Sequence, residues 1–343
     1  MQYEIYIKKC IELARKGEGQ TSPNPLVGCI ILDKSGNEIA AGYHAKYGEN
    51  HAERNALLKI DKGEGHTLIV NLEPCSHYGK TPPCADFIIE KGIKKVVMGM
   101  VDPNPIVSGR GIKKLKDAGI EVITGICEDD CRKLNEVFIK NMVENKTFVA
   151  IKTASTLDGK TASSSGSSKW ITSDTARNEV KNIRNRYDAI LTTSSTILAD
   201  NPSMKHRKKI ILDRTLKTDL SSSIYQTGEI YLFNAFTDKF VHGINFIKTP
   251  VKEEKLDIDF VLQKAYELGI KSILVESGGH FSGAILSYAD KIYHFIAPKI
   301  AGDNSSLSCF DFRHITDINE CIKFKFDEIK TYNQDILLVY SKI

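Results

Sequence analysis

The chain has 343 residues, of which 41% are hydrophobic and 26% are charged, and its net charge is +4. This length and ordinary composition predict a soluble globular protein of two domains. So mild a charge gives no reason to expect nucleic acid as a partner, but it suits a phosphorylated small molecule. No apolar run approaches the roughly 18 residues of a membrane span, and the N-terminus lacks the basic and apolar regions of a secretory signal. Neither a membrane nor export is therefore expected.

The eight cysteines do not predict a disulfide framework. A chain of this length with ample apolar residues does not depend on disulfides for its stability. Thiols that bind a metal must be reduced and deprotonated, which favours a cytoplasmic location.

Patterns in the first part of the chain alternate between helix and strand. Apolar residues from Ile7 to Ala14 recur at helical spacing, and Asn50 is a plausible N-cap for a helix opening at His51. In chain order, the predicted elements are a helix ended by Gly17, a hairpin of strands at 27–32 and 38–43, the helix at His51, a strand at 67–72, a helix at 83–90, a strand at 96–100, a helix at 111–118 and a strand at 121–124. They predict a three-layer α/β/α domain over residues 1–145, with a polar linker at 141–147.

A second alternating pattern predicts another α/β domain over residues 146–343. The predicted strands lie at 148–153, 189–193, 209–213, 229–233, 272–275, 293–296 and 336–340, and the predicted helices at 174–186, at 259–268 and from Gly278-Gly279 to about Tyr288. The region from 215 to 251 is weakly patterned.

The most informative motif combines His51-Ala52-Glu53 with Pro74-Cys75 and Cys84. One imidazole and two thiolates leave one position of a tetrahedral zinc ion open, which is typical of a catalytic site. Zinc lowers the pKa of water in that position, and Glu53, which is not needed as a ligand, can carry protons. This pattern is the signature of zinc nucleobase deaminases, although here the second thiol follows after eight residues instead of two. A closed structural zinc site, or coincidence, is the alternative.

The residues around this motif have two interpretations. His51 and Cys84 each stand where a helix is predicted to begin, and free backbone N–H groups there favour thiolate over thiol. We therefore expect two helix N-termini to face one metal ion. The loop at 76–83 is either a surface loop bounded by prolines or a cover that offers His77 and Lys80 to an anionic group. Asn24 and His44 either satisfy backbone groups in a turn or contact a substrate.

Several segments resemble the bifunctional riboflavin-biosynthesis deaminase/reductase family. In the first half these are residues 21–29, 51–53, 72–84, 102–105 and 109–111, and in the second half 152–162, 169–172, 190–202 and 275–279. The eight-residue gap between Cys75 and Cys84 distinguishes this family from the tRNA and free-nucleoside deaminases. The resemblance covers nearly the whole chain.

This resemblance implies a cytidine-deaminase-like α/β/α domain followed by an α/β domain similar to dihydrofolate reductase. It implies zinc and NADPH as cofactors. The expected reactions are hydrolytic deamination of 2,5-diamino-6-(5-phosphoribosylamino)pyrimidin-4(3H)-one to 5-amino-6-(5-phosphoribosylamino)uracil, followed by reduction of the ribosyl group to ribityl. The expected partners are this phosphorylated pyrimidine and further copies of the chain, with no nucleic acid and no membrane.

The resemblance also assigns site residues by matched position. In the first domain it implies His51, Cys75 and Cys84 as zinc ligands, Glu53 as the catalytic acid–base, and Asn24, His44, His77 and Lys80 as substrate contacts. In the second domain it places Ala154, Trp170, Thr196, Asp200, Gly278, Gly279, His280, Phe281, Ser282, Gly283 and Ala284 around the cofactor. It places Ser168, Arg184, Met204, Arg207 and Glu276 around the substrate.

Elementary chemistry supports the reductase assignment less strongly. A glycine pair between a strand and a helix lets backbone approach a phosphate, although a tight turn is the commoner use of such a pair. Arg184 and Arg207 suit phosphate because guanidinium binds it with two hydrogen bonds, but each, considered singly, is more often a solvated arginine. Asp200 and Glu276 are both candidate proton donors.

Two rival functions are weighed against this interpretation. A nucleic-acid deaminase predicts a basic, aromatic-lined channel, whereas the chain has a single tryptophan and shows no marked basic cluster. In the second rival, the C-terminal half is only an assembly module.

Overall fold

The computed structural model describes residues 3–76, 82–104, 108–311 and 314–343, which divide into two compact units, Met1–Asn145 and Lys146–Ile343. His77 and Lys80 lie outside the described residues. Within the described residues, no helix is both long and apolar enough to cross a bilayer.

The first unit is built around a five-stranded sheet. Its elements are α1 (Glu4–Arg15), β1 (Gly28–Leu32), β2 (Glu38–Tyr43), α2 (Ala52–Leu57), β3 (Thr67–Leu72), α3 (Cys84–Glu90), β4 (Lys95–Met100), α4 (Arg110–Asp117), β5 (Glu121–Ile123), α5 (Glu128–Leu134) and α6 (Glu136–Glu144). The strand order is β2-β1-β3-β4-β5, with β1 antiparallel to both neighbours and β3, β4 and β5 parallel. All residues of β1 and β3 are buried, because helices cover both faces of the sheet.

Two glycines show how closely these helices sit on the sheet. A Cβ on Gly42 of β2 would lie 2.6 Å from the Ala52 oxygen and the Ala56 nitrogen of α2, and a Cβ on Gly28 would lie 2.1 Å from the Cys10 oxygen of α1. Gly42 pairs with Cys29, the neighbour of Gly28, and successive residues of a strand face opposite sides. The two helices therefore cover opposite faces, and the predicted three-layer α/β/α arrangement is confirmed.

The end of the first unit differs from the sequence-based expectation. The predicted linker at 141–147 is wrong over most of its length, because α6 continues to Glu144 and Asn141 is buried. No helix was predicted from sequence at α5, because its first turn consists of acidic residues. The helix nevertheless forms and buries Cys131 and Leu134. Asn50 is not the N-cap of α2, because the helix begins one residue later and His51 holds that position.

The second unit is built around a ten-stranded sheet. Its elements are β6 (Phe148–Ser155), β7 (Lys160–Ala162), α7 (Asp174–Asn185), β8 (Ala189–Thr193), α8 (Ser194–Asp200), β9 (Lys208–Leu212), β10 (Glu229–Asn234), β11 (Lys239–Val241), β12 (Ile244–Lys248), β13 (Val251–Lys252), β14 (Lys255–Leu256), α9 (Ile258–Glu267), β15 (Ser272–Val275), α10 (Gly279–Ala284), β16 (Lys291–Ile296), β17 (Leu307–Ser308), β18 (Phe324–Tyr332) and β19 (Asp335–Lys342). The order in the large sheet is β11-β12-β10-β9-β8-β15-β6-β16-β19-β18.

The strands from β12 to β16 in this order run parallel, so their carboxyl ends share one edge of the sheet. Ligands of open parallel sheets bind at that edge. The nine-residue strand β18 was not predicted from sequence, because most of its side chains are exposed and it lacks the apolar pattern of a buried strand. The weakly patterned region at 215–251 contains β11 and β12 in addition to β10, which was predicted.

Candidate functional site: a metal centre and a ligand cavity

The three proposed metal ligands meet at one point of the first unit. His51 is the N-cap of α2, Cys84 is the first residue of α3, and Cys75 follows the end of β3. The His51 Nδ1 atom lies 3.5 Å from the Cys75 sulfur and 3.4 Å from the Cys84 sulfur. The two predicted helix N-termini therefore face a common point.

This geometry fits zinc. A tetrahedral zinc ion with ordinary bond lengths separates its sulfur and nitrogen ligands by about 3.6 Å. All three donor atoms lie within 4.8 Å of one another, and no further described His, Cys, Asp or Glu completes the cluster. Three protein donors leave the fourth corner of the tetrahedron to water or substrate, as in catalytic zinc sites.

The surroundings of Cys75 favour its thiolate form. The backbone N–H of Cys84 donates to the Cys75 sulfur at 3.3 Å. Hydrogen bonding from the side chains of Cys84 and His51 lowers the pKa of Cys75 against the opposing effect of burial. A metal ligand must be deprotonated, so this thiol is prepared for binding.

Glu53 lies beside the metal ligands but is not one of them. It is 3% exposed, and its Oε2 atom has no hydrogen-bond partner in the described part of the chain. Burial raises the pKa of Glu53 to about 7, and the charge of Cys75 adds to the rise. An unpartnered buried carboxylate oxygen is costly unless a ligand completes its hydrogen bonding.

Sequence reasoning missed Glu73, which fixes the chain leading to Cys75. Its buried carboxylate accepts the backbone N–H groups of Asp102, Gly109, Gly111 and Ile112 at 2.9–3.2 Å. This carboxylate therefore caps the start of α4 and ties it to the segment that carries Cys75. A glutamate directly after an apolar strand was the available signal.

Asn24 and His44 form one hydrogen-bonded unit near the metal ligands. His44 is 1% exposed, its Nδ1 lies 3.0 Å from the Asn50 carbonyl oxygen, and its Nε2 lies 3.2 Å from the Asn24 amide nitrogen. Because a carbonyl only accepts, Nδ1 carries the proton and Nε2 accepts from Asn24. The ring of His44 packs edge-on against that of His51, with 5.4 Å between centroids.

The second unit contains a cavity of about 1100 Å³ at the carboxyl edge of its sheet. Lys and Arg outnumber Asp and Glu among its lining residues, which suits ligands that carry phosphate. Most of the predicted reductase residues line it, namely Ala154, Ser168, Trp170, Arg184, Thr196, Asp200, Met204, Glu276, Gly278, Gly279, His280, Phe281 and Ala284.

Three predicted residues do not line this cavity. Ser282 and Gly283 are buried within α10, where the Ser282 hydroxyl lies 3.2 Å from that of Ser277. Arg207 donates instead to the carboxylate of Asp188 at 3.2 Å, with half of its side chain exposed. Contact between Arg207 and a ligand in the cavity would require this ion pair to open.

Arg184 and Glu276 form an ion pair in the cavity wall, and Lys152 lies close to it. Arg184 Nε is 2.5 Å from Glu276 Oε1, and Arg184 Nη2 is 2.9 Å from Oε2. Burial opposes ionisation of Glu276, but the hydrogen bonds and charge of Arg184 and the charge of Lys152 outweigh it and lower its pKa. Burial also lowers the pKa of Lys152. Sequence reasoning gave Lys152 no role, although a lysine within an apolar strand was a signal.

The glycine pair after β15 serves two purposes. A Cβ on Gly279 would lie 1.7 Å from the Ser308 carbonyl oxygen, so that glycine permits close backbone packing. A Cβ on Gly278 would meet nothing within 4 Å, and this residue lines the cavity. Gly278 therefore leaves room for a ligand to approach the backbone.

Comparisons with known proteins match both units of the chain. Residues 1–100 match the family described as "Cytidine and deoxycytidylate deaminase zinc-binding region", and residues 147–338 match the family described as "RibD C-terminal domain". The riboflavin biosynthesis protein RibD of Actinobacillus pleuropneumoniae is 38% identical, over 98% of this chain and 95% of its own length. That of Escherichia coli K12 is 35% identical, over 98% and 99%.

Solved structures give the same result. A deaminase/reductase from Thermotoga maritima is similar with a TM-score of 0.90 and 37% identity, over 100% of this chain and 99% of that one. Acinetobacter baumannii RibD has a TM-score of 0.88 and 34% identity over the same shares. These matches confirm the predicted fold class, the deaminase and reductase activities, and zinc and NADPH as cofactors. The chain therefore belongs to the RibD family of bifunctional riboflavin-biosynthesis deaminase/reductases.

Proposed function

We propose that the unit Met1–Asn145 carries the deaminase and the unit Lys146–Ile343 the reductase. The similar Thermotoga protein is described as a diaminohydroxyphosphoribosylaminopyrimidine deaminase and 5-amino-6-(5-phosphoribosylamino)uracil reductase. We propose the same substrates here. The observation that carries the proposal is the placing of one nitrogen and two sulfur donors beside the unpartnered Glu53 oxygen.

Glu53 is the proposed proton carrier of the deamination. His51, Cys75 and Cys84 would hold the zinc ion, which would lower the pKa of a bound water molecule and so provide the nucleophile. The Oε2 atom of Glu53 accepts a proton from that water and returns it to the departing amine, so that ammonia leaves as water oxygen replaces nitrogen on the ring. Its burial and its lack of a partner keep the oxygen free for this transfer.

His44 is proposed to act on the substrate through Asn24. Since His44 Nε2 accepts from the Asn24 amide nitrogen, the Asn24 oxygen is turned away from His44 and can accept from an amino or hydroxyl group of the substrate. His77 and Lys80 remain proposed substrate contacts on the basis of the family motif alone.

Lys152 is the proposed proton source of the reduction. The residues that line the cavity would hold NADPH, which would supply the hydride for C1 of the sugar in its open-chain imine form. A proton must then reach the imine nitrogen. Glu276 is poorly suited to donate it, because Arg184 holds it ionised, whereas burial lowers the pKa of Lys152 and so eases release of its proton. Asp200, whose carboxylate lies 3.4 Å from the Ser168 hydroxyl, is the second candidate.

The predicted binding residues keep their proposed roles. Ala154, Trp170, Thr196, Asp200 and the segment at 278–284 are assigned to the cofactor, with Ser282 and Gly283 supporting that segment from within α10. Ser168, Arg184, Met204 and Glu276 are assigned to the substrate. Arg207 is assigned to the substrate phosphate, which it reaches by leaving Asp188.

We also propose a cytoplasmic homo-oligomer. The thiol ligands require a reducing compartment. The nine-residue β18 stands at the edge of the large sheet and exposes the side chains of Phe326 and Ile329, and an unpaired strand edge is a template for pairing with a second copy. Sedimentation equilibrium tests this, and a monomer at all concentrations contradicts it.

Cys84→Ser separates the two proposed activities. We expect it to lose zinc and deamination, while reduction of 5-amino-6-(5-phosphoribosylamino)uracil continues at the wild-type rate. Cys127, directly before α5 in the same unit, gives the control Cys127→Ser, which should retain both activities. Loss of reduction in Cys84→Ser, with zinc retained, contradicts the assignment.

A further inference from the structure

His206 joins two segments of the second unit that carry proposed substrate contacts. It lies just before β9, between Met204 and Arg207, whereas Arg184 lies in the last turn of α7. The Nε2 atom of His206 is 3.1 Å from the Arg184 carbonyl oxygen and 3.0 Å from the Tyr187 carbonyl oxygen. Because a carbonyl oxygen only accepts, Nε2 carries a proton and donates to both. One imidazole therefore fastens the segment before β9 to the end of α7.

The other ring nitrogen of His206 has a partner as well. Its Nδ1 atom lies 3.2 Å from the Lys208 backbone nitrogen and 2.9 Å from the Lys208 carbonyl oxygen. A neutral ring accepts from that N–H group, and a protonated ring donates to that oxygen. The link between the two segments therefore holds in both protonation states of the ring.

Arg207 forms an adjacent link between the same two segments. Its guanidinium donates to Asp188 Oδ1 at 3.2 Å, and Asp188 directly follows Tyr187 in the chain. The neighbours His206 and Arg207 thus contact the neighbours Tyr187 and Asp188. The Arg207 carbonyl also accepts the Glu229 backbone N–H at 2.7 Å. The Arg207 backbone is therefore held from both directions, while half of its side chain is exposed.

The ion pair between Arg207 and Asp188 can open without leaving the carboxylate unpartnered. Asp188 is buried, and its Oδ2 atom accepts the backbone N–H groups of Lys271 at 2.8 Å and Ser272 at 3.2 Å. Both bonds remain when the guanidinium leaves. A half-exposed guanidinium loses little when it gives up one ion pair. Rotation of its side chain therefore lets Arg207 exchange Asp188 for a phosphate group, provided that its backbone stays in place.

We propose that His206 is a positioning residue of the reductase, which holds the Arg207 backbone against α7 while the Arg207 side chain moves from Asp188 to the substrate phosphate. Without the imidazole, the segment would lose a fastening at the moment when the ion pair opens. Preorganisation lowers the cost of ordering a binding group, so His206 acts on substrate affinity and not on the chemical step. The inference rests on the proposed assignment of Arg207 to the substrate phosphate.

Steady-state reduction of 5-amino-6-(5-phosphoribosylamino)uracil by the full-length protein tests this. His206→Met keeps a side chain of similar bulk and removes both ring nitrogens. We expect its KM for this substrate to rise about 3- to 10-fold, because a fastening hydrogen bond is lost, with kcat within about twofold of wild type. His206→Gln retains an N–H donor that can reach the same carbonyls and should restore most of the affinity.

A double variant with Arg207→Gln separates positioning from a general loss of structure. If His206 acts through the Arg207 guanidinium, His206→Met should add nothing to the KM of Arg207→Gln, whereas independent effects multiply. His314→Met is the matched control, since His314 is exposed and is not among the described residues that line the cavity. Fluorescence of Trp170, the one tryptophan of the chain, monitors thermal unfolding and confirms that each variant is folded.

Two kinds of result would overturn the inference. If Arg207→Gln raises KM but His206→Met does not, or if the two effects multiply, His206 does not position Arg207, and the assignment of Arg207 to the phosphate stands. If Arg207→Gln leaves KM at the wild-type value, that assignment fails and the inference fails with it.

Discussion

Arg184 on α7 and Glu276 after β15 are joined by two parallel hydrogen bonds in the wall of the reductase cavity. Glu276 is 7% exposed, so Arg184 is what allows a buried carboxylate to remain ionised next to the proposed substrate. Removing one member of a buried pair leaves the other charge without compensation.

Arg184→Leu is therefore expected to destabilise the second unit by about 3–5 kcal/mol. Urea unfolding followed by Trp170 fluorescence measures this, because the only tryptophan belongs to that unit. The double variant with Glu276→Leu should recover part of the loss, since Lys152 is then the only charged member of this group left, and burial already lowers its pKa. Lys181→Leu, an exposed position on the same helix, is the control. An equal loss of stability in Arg184→Leu and Lys181→Leu would contradict the argument.

Glu53→Gln should preserve the zinc site and abolish deamination. Glutamine matches the shape of glutamate but cannot accept the proton, and loss of a general acid–base costs about 10²–10⁴-fold in rate. The zinc content of the variant, measured by atomic absorption, should stay at one ion per chain, as in the wild type, and the reductase activity should be unchanged. Glu49→Gln, at an exposed position before the same helix, is the control. Normal ammonia release by Glu53→Gln would remove Glu53 from the mechanism.

The stability of the second unit should fall in acid through His294. Its ring lies between the hydroxyls of Thr153 and Ser155, and burial lowers its pKa from the ordinary 6.5 to about 4. Between these values the unfolded chain binds more protons, so this contribution to stability is present above pH 6.5 and is lost as the pH falls towards 4.

The measurement compares wild type with His294→Gln. The unfolding free energy of wild type, relative to the variant, should drop by about 2 kcal/mol between pH 7 and pH 5. Urea unfolding at the two values, again followed by Trp170 fluorescence, supplies the difference. A difference that does not change with pH would show that His294 titrates alike in the folded and unfolded states.

The metal centre could be predicted from sequence because its geometry is local. His51 and Cys84 stand at helix starts, and a helix start is visible in the sequence as an apolar pattern that begins after a polar or proline residue. The open coordination position then follows from the number of ligands. Glu73 was missed because its four backbone partners lie about 30–40 residues further along the chain, where spacing gives no sign of the contact.

The cavity was harder to predict because it depends on strand order. Lys152, Glu276 and Arg214 come from three distant segments that meet only because β6, β15 and β9 share one edge of the sheet. Neither β18 nor α5 has the regular apolar pattern that identifies a buried element, so both were missed. Arg207 was assigned by motif, but its ion pair with Asp188 depends on a contact that the motif does not contain.

The two-step conversion tests the central claim most directly. The diaminopyrimidinone substrate would be incubated with the zinc-loaded protein, without and then with NADPH, and followed by mass spectrometry. We expect the product without NADPH to differ from the substrate by exchange of an NH group for oxygen, and the product with NADPH to gain two hydrogen atoms as well. An unchanged substrate in both reactions would contradict the account.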